Sequence, residues 1–225
     1  MKLIAIELGR AVQLFVPDEI RPLSGLNMPE FIRLIQERYG FAKVPELKEV
    51  AQSGAKFQTG RLKSRNKTIN ISELAVFDDG VVVGSFHTDE AEFVLGDFIS
   101  WTKKTFDLRD PETQRPRRFE SHLVIEFDRS IDAALHVFDP IRAKIARAVE
   151  DSYGIKTAIG NHRIDFSVSM RPELEIGRPG LVIERRINYA LEANRFYSTA
   201  GFRTDVHLEL LHDLENAIPK SNPAN

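Results

Sequence analysis

Apolar residues recur at intervals of three and four along several stretches of the chain, which predicts amphipathic helices. The predicted helices cover, in chain order, about 28–39, 45–54, 89–105, 140–153 and 204–217. Asn27, Asp89, Asp139 and Thr204 stand where a capping side chain is expected, and Gly154 stands at the end of the fourth helix. Such helices need a surface on which to bury their apolar stripes.

Other stretches alternate between apolar and polar residues, which is typical of strands with one buried face. They cover about 2–8, 11–16, 55–59, 69–76, 81–86, 119–128, 162–170 and 180–187. Gly9-Arg10 predicts a tight hairpin between the first two, and Asp78-Asp79-Gly80 predicts another because Asp-Gly accepts positive φ angles. The alternation changes phase between Ile71 and Leu74, which predicts a bulge or break near Ser72.

These elements predict one α+β domain over 1–218. We expect a mixed but mostly antiparallel sheet, with the amphipathic helices packed mainly on one of its faces. The stretch 107–118, rich in proline and arginine, is the one candidate for an internal boundary. Residues 219–225 hold two prolines and no other apolar residue larger than alanine, so we expect a loose C-terminal tail.

Composition removes several classes of function. The 225 residues include no cysteine, which excludes disulfides, thiolate metal sites, iron–sulfur clusters and a cysteine nucleophile. A formal net charge of −2 argues against a nucleic-acid coat or a polybasic membrane anchor. Glu7 and Arg10 interrupt the N-terminal apolar run, and no stretch approaches the roughly 20 apolar residues of a membrane helix, so we expect a cytoplasmic protein.

Carboxylates on two neighbouring predicted strands are the best candidate for catalysis. Asp165 and Glu184 could hold a divalent metal such as magnesium, with Arg186 beside a phosphate. This arrangement resembles that of restriction-endonuclease-like nucleases, which implies metal-dependent cleavage of a phosphodiester. Those enzymes normally have lysine where Arg186 stands, and arginine does not lose its proton. Charge pairing across a solvated sheet face explains the same residues and is the interpretation we favour.

Histidines and glycines indicate no further catalytic motif. The six histidines match no metal-binding spacing, and His162 and His207 lie near apolar stripes, where a core histidine is the commoner case. His122 lies among acidic residues on one face of its strand. No phosphate-binding glycine loop and no nucleophile elbow is present.

Two clusters of basic residues are candidates for contact with a phosphate backbone. The first is a predicted hairpin tip with Arg61, Lys63, Arg65 and Lys67, and the second is a predicted loop with Arg115, Arg117 and Arg118. Neither contains the interleaved aromatic residues of a single-strand binder. A basic hairpin tip also serves to block edge-to-edge pairing of strands, which is the simpler interpretation.

The segment 188–203 is predicted to be a long connection with four aromatic rings. Long connections inside compact domains tend to be functional, although its first half could also form a short helix. Tyrosine and arginine are common anchors of protein interfaces. We therefore expect Arg195, Tyr197 and Phe202 to be the best place for a partner to bind.

The sequence favours a non-catalytic cytoplasmic interaction protein that binds a protein partner or itself. It would be a self-associating subunit or an accessory component of a larger assembly, because no convergent catalytic set can be assembled. The alternative is a metal-dependent phosphodiesterase that uses Asp165 and Glu184 with Arg186. In that case the basic loops would bind the substrate.

Overall fold

The computed structural model describes residues 1–16, 25–64, 67–110, 115–167, 180–186 and 188–218. The chain divides into two compact units. Unit A consists of Ile6–Ser121 and Gly201–Thr204, and unit B of the described residues of Met1–Ala5, His122–Ala200 and Asp205–Asn225. The prediction of a single domain over 1–218 with a loose tail stays a prediction, and 219–225 lies outside the described residues.

Helices and strands alternate irregularly along the described part of the chain. The α-helices are α1 (Met28–Tyr39), α2 (Leu47–Ser53), α3 (Thr88–Phe106), α4 (Ile131–Ala134), α5 (Asp139–Tyr153) and α6 (Thr204–Ala217). The strands are β1 (Lys2–Leu14), β2 (Ala55–Lys63), β3 (Thr68–Phe77), β4 (Gly80–Ser85), β5 (Arg118–Glu126), β6 (Arg163–Ser167), β7 (Gly180–Arg185) and β8 (Arg195–Ala200). This content confirms the predicted α+β class.

The strands form a sheet in the order β2-β3-β4-β1-β5-β8-β7-β6. The pairings β2–β3, β3–β4 and β1–β4 are antiparallel, and so are β6–β7 and β7–β8. Of the four positions at which the chain passes from one unit to the other, two fall inside strands, in β1 and in β5. No described helix has both the length and the apolar composition needed to span a bilayer.

The N-terminal hairpin predicted at Gly9-Arg10 is wrong, because β1 runs without a break from Lys2 to Leu14. Gly9 pairs with Ser85 of β4, and a Cβ atom there would lie 2.4 Å from the backbone nitrogen of Thr88. The missing side chain therefore lets β1 pass close to the first residue of α3. Gly9 therefore allows two backbones to approach closely and does not form a turn.

The hairpin predicted around Asp78 is confirmed, but its glycine has another role. Phe77 pairs with Gly80, so the two-residue turn is Asp78-Asp79, and neither residue has a positive φ angle. A Cβ atom on Gly80 would lie 2.8 Å from the carbonyl oxygen of Gln13 on β1. This glycine too allows two backbones to approach closely.

The predicted change of phase is present without a shift in register. Buried residues of β3 switch from Ile69 and Ile71 to Leu74, and every described β2–β3 pair keeps one register on both sides of the switch. Thr59, opposite Ser72, is missing from the ladder and has a φ angle of 58°. A single distorted pair therefore accommodates the change, in place of the extra residue of a bulge.

Unit A buries the stripes of α1 and α3 against β2, β3 and β4 in one apolar core. Asn27 caps α1 as predicted, and its side chain accepts a hydrogen bond from the Glu30 amide. The cap predicted at Asp89 is wrong, because His87 is the N-cap of α3 and its Nδ1 accepts from the Asp89 amide. Asp89 instead forms an ion pair with Arg203.

Three elements of unit B differ from the predictions. The predicted connection 188–203 contains the strand β8 and a short 3-10 helix, Leu191–Ala193. The stripe predicted for α6 is rotated: Leu211 is buried, but Val206 and Leu210 are more than a third exposed. The helix buries His207 and Glu215 in their place, since hydrogen bonds satisfy both side chains. The third element, α5, buries none of its residues.

Replacement of Gly9 tests the close approach of β1 to α3. Gly9→Ala should lower the free energy of unfolding by about 2 kcal/mol or more, because the new Cβ atom meets backbone that cannot move aside. Gly96→Ala inside α3 is the control, since its Cβ atom would find its nearest contact at 3.9 Å, on Arg117 Nη2. The control should gain up to about 1 kcal/mol from helix propensity. Urea denaturation measures both, and equal stability of the two variants would contradict the explanation.

Candidate functional site

The acidic pair predicted to hold a metal lies on a solvated strand surface. Asp165 pairs in register with Val182, and Glu184 with Arg163, so both carboxylates occupy one face of β6 and β7. The Arg163 guanidinium lies 3.0 Å from Asp165 Oδ2 and 3.9 Å from Glu184 Oε2. Hydrogen bonds from Ser167 and Arg163 hold the pKa of Asp165 below its usual value. Arg163 therefore pairs with both carboxylates, and the sequence analysis does not include this arginine in the predicted metal site.

Other charged residues of unit B are also paired with neighbours. Glu126 accepts from Arg195 Nη2 at 2.8 Å, and the Arg195 guanidinium lies over the Tyr189 ring. Arg186 lies 6.0 Å from the centre of the same ring. Among the described residues, no group of three or more His, Asp or Glu side chains is arranged to hold a metal ion. Charge pairing across strands describes this face.

The aromatic residues predicted to bind a partner belong to the sheet and its margin. Tyr197 lies on β8, and its hydroxyl is hydrogen-bonded to His122 Nδ1 at 2.6 Å. Phe196, beside it, is buried, whereas Phe202 is partly exposed just beyond the strand. The structure thus gives Arg195 and Tyr197 intramolecular contacts within unit B.

One serine–histidine pair is brought together that the sequence did not indicate. Ser198 Oγ lies 2.8 Å from His207 Nε2, and both residues are fully buried. The serine hydroxyl also donates to the carbonyl oxygen of Val182, which can only accept, so the histidine must donate its Nε2 proton to the serine. A general base would need the reverse polarity. The pair therefore satisfies a buried histidine, as predicted for His207, whereas His162 is largely exposed.

The two basic clusters lie at different ends of the strands of unit A. In the first cluster, Arg61 and Lys63 lie on β2 near the Lys63–Thr68 end of the β2–β3 ladder, Lys67 lies just beyond it, and Arg65 lies outside the described residues. The carbonyl oxygen of Arg115 accepts from Gln13, beside the Leu14–Gly80 end of the β1–β4 ladder. Strand β3 separates these ends by about 30 Å. The clusters, the second of which includes Arg117 and Arg118, do not form one surface.

Among the described residues of unit B, the most exposed apolar surface follows α5. We call it the α5 stripe and define it as Phe138, Ile141, Ile145, Ala148 and Ser152. Its first three side chains are 50%, 53% and 44% exposed, although the sequence predicts that the apolar stripe of this helix is buried against a surface. Val137, Tyr153 and Ile155 extend the exposed apolar surface at its two ends. This stripe is our candidate functional site.

The polar side of α5 is anchored, which holds the α5 stripe outward. Arg142 lies about 100° around the helix from Ile141 and donates to Asp139 Oδ1 at 2.8 Å and to the Leu135 carbonyl oxygen at 3.2 Å. Its side chain is only 15% exposed. Helix α4, which precedes α5, is held separately by an ion pair of 2.7 Å between its Asp132 and the buried Arg185. No local pattern in the sequence indicates this ion pair, because 53 residues separate its members.

Charged residues seven positions apart flank the α5 stripe. Lys144 and Asp151 follow Ile141 and Ala148 by three residues each, so they lie on the same side of the stripe, one above the other. The stripe itself follows a spacing of three and four, as the contact positions of a coiled coil do. Both spacings are present in the sequence, where the apolar stripe by itself predicts a helix packed against a surface.

The comparison with known proteins adds no family to this description. No protein-family model matches the chain. No curated protein matches it at a significant level. The α+β fold and the α5 stripe are therefore the basis for a proposal about function.

Acidification tests the role of His207. Burial, and to a lesser extent the nearby His122, lower the pKa of His207 from 6.5 to about 4. Between these values the unfolded chain binds a proton that the folded chain does not, so stability should decline as pH falls from 6.5 to 4, by roughly 3 kcal/mol. His207→Gln keeps a hydrogen-bond donor for Ser198. In this variant the slope of unfolding free energy against pH should correspond to about one fewer proton taken up on unfolding. Urea titrations across this pH range give the slope, and an identical slope in the two proteins would refute the assignment.

Proposed function

We propose that the protein is a non-catalytic interaction subunit that associates with a second copy of itself through the α5 stripe. The observation that carries this proposal is that α5, a helix of 15 residues, buries none of them although its apolar residues follow a helical stripe. Exposed apolar surface of this kind marks interaction sites. A cytoplasmic location is part of the same proposal.

Charge along α5 favours a second copy in antiparallel orientation. In an antiparallel helix pair, the same flank of each helix faces that of its partner, so Lys144 of one copy would meet Asp151 of the other. The twofold axis produces this contact twice. In a parallel pair, Lys144 and Asp151 would each face the opposite flank of the partner helix, which carries Arg142 and Val149. No pair of opposite charges would form there. Ala148 opposite Ile145 would let the two helices approach closely.

The expected association is reversible. A helix of 15 residues is about 22 Å long. One pair of such helices buries less than the roughly 800 Å² per partner of a standard interface. The exposed Val137 and Tyr153 at the ends would add to the contact. We therefore expect a dimer whose population depends on protein concentration.

Substitution in the α5 stripe tests the surface. Sedimentation equilibrium should show a monomer–dimer equilibrium over roughly 1–200 µM for the native sequence. Replacing both Ile141 and Ile145 by serine should weaken dimerisation tenfold or more, which corresponds to about 1.4 kcal/mol. Leu47→Ser is the control, because Leu47 is 54% exposed on α2 and lies outside the stripe. A native chain that is monomeric throughout, or a dimer indifferent to the two serines, would contradict the proposal.

A charge swap tests the orientation. Lys144→Asp and Asp151→Lys should each weaken the dimer, because each places like charges in contact across the axis. The double variant should recover the native dissociation constant, since it restores both pairs in reversed order. Sedimentation at low ionic strength gives the largest effect. If the double variant is as weak as the sum of the single ones, the antiparallel arrangement is wrong.

A further inference from the structure

We infer that unit A binds an amphipathic organic anion, a molecule with an apolar chain and a negatively charged head, in a cavity between its sheet and helices. The cavity has a volume of about 1140 Å³, and the described residues that line it all belong to unit A. Ligand pockets typically measure roughly 300–1,000 Å³, so this one can hold a molecule of substantial size. The inference does not depend on self-association, because α5 belongs to unit B.

The interior of the cavity is apolar and incompletely packed. Of the nine described apolar side chains that pack against the unit A core while only partly buried, six line the cavity: Phe15, Leu26, Met28, Val50, Val76 and Ile99. Protein interiors are normally packed as densely as organic crystals. An apolar ligand segment would make the contacts that these side chains lack and would remove their surface from water.

Charged groups around the cavity favour a negative ligand head. Its lining includes five cationic side chains and three carboxylates, so the described lining has a net positive charge. The cations are Lys56, Lys103, Arg109, Arg115 and Arg117, and the carboxylates are Asp78, Asp79 and Asp110. Four of the five cations come from the last turn of α3 and the chain that follows it. A positive wall beside an apolar interior is complementary to an amphipathic anion.

The cationic wall is held in place by contacts within unit A. Gln13 Nε2 donates to the carbonyl oxygen of Arg115 at 2.9 Å, which ties this segment to the end of β1. Arg117 donates to Glu92 on α3 at 3.0 Å. Lys103 pairs with Asp110. The Lys103 and Arg117 side chains and the backbone at Arg115 therefore stand at fixed places beside the cavity, which reduces the entropy that binding would otherwise cost.

This assignment gives the second predicted basic cluster a different ligand. The sequence placed Arg115 and Arg117 beside a phosphate backbone. In the structure they line the same cavity as Phe15 and Ile99. A nucleic-acid backbone offers no apolar segment for such an interior, whereas an amphipathic anion fills it.

Displacement of a fluorescent dansyl-undecanoic acid by dodecanoate, below its micelle concentration, tests the inference in the full-length protein. Dodecanoate should displace the probe and raise the melting temperature, and dodecyltrimethylammonium, with the same chain and a positive head, should bind at least tenfold more weakly. Dodecyl phosphate, tested in parallel, distinguishes a phosphate head from a carboxylate head. No displacement by either anion, or equal affinity for the cationic amphiphile, would overturn the inference.

Variants locate the binding at the cavity. Val50→Trp fills the cavity from α2 and should abolish displacement, whereas Leu47→Trp, on the exposed side of the same helix, should bind normally. Arg115→Glu should weaken dodecanoate binding fivefold or more and leave dodecanol binding unchanged, which tests the charge even if Val50→Trp fails to fold. Native affinity in Arg115→Glu, or in a folded Val50→Trp, would overturn the assignment to this cavity.

Discussion

Every amphipathic helix must remove its apolar stripe from water, and an antiparallel sheet offers a limited area on which to do so. In unit A the sheet meets this demand. Phe31 and Ile35 of α1 and Val94 and Leu95 of α3 join Phe57, with the apolar residues of β3 and β4, in a single core. Helix α5 has the same kind of stripe, yet its residues are left at least partly exposed. This uncovered stripe is the physical basis of the proposed self-association.

Polar contacts determine which side of α5 faces the rest of unit B. Arg142 is held by the chain preceding the helix, and the buried Arg185 fixes that chain through Asp132. Arg185 itself also donates to the Leu191 carbonyl oxygen. Breaking a buried ion pair leaves an uncompensated charge, so this arrangement is costly to change. A rotation of α5 that covered Ile141 would expose Arg142 and break its contacts. The outward direction of the α5 stripe is thus built into unit B.

Local patterns in the sequence predicted much of the fold, and the errors share one cause. Periodicity located α1 and α3, the Asn27 cap located the start of α1, and the turn residues located the β3–β4 hairpin, because these signals depend on neighbouring residues. Gly9 was interpreted as a turn residue, since a turn and a close approach of two backbones both require a missing side chain. The exposure of Ile141 and the burial of His207 depend on distant residues, which no local pattern reports. The cavity of unit A is also formed by residues far apart in the sequence, so no local pattern predicts it.

Cysteine cross-linking tests the self-association of α5 most directly, because the native chain contains no cysteine. Chains with Lys144→Cys and chains with Asp151→Cys would be mixed, oxidised mildly and separated by non-reducing electrophoresis. An antiparallel pair predicts cross-linked dimers in the mixture and few in either protein alone, since identical positions lie about 10 Å apart along the helix axis. Equal cross-linking in all three samples, or none in any, would contradict the proposed interface.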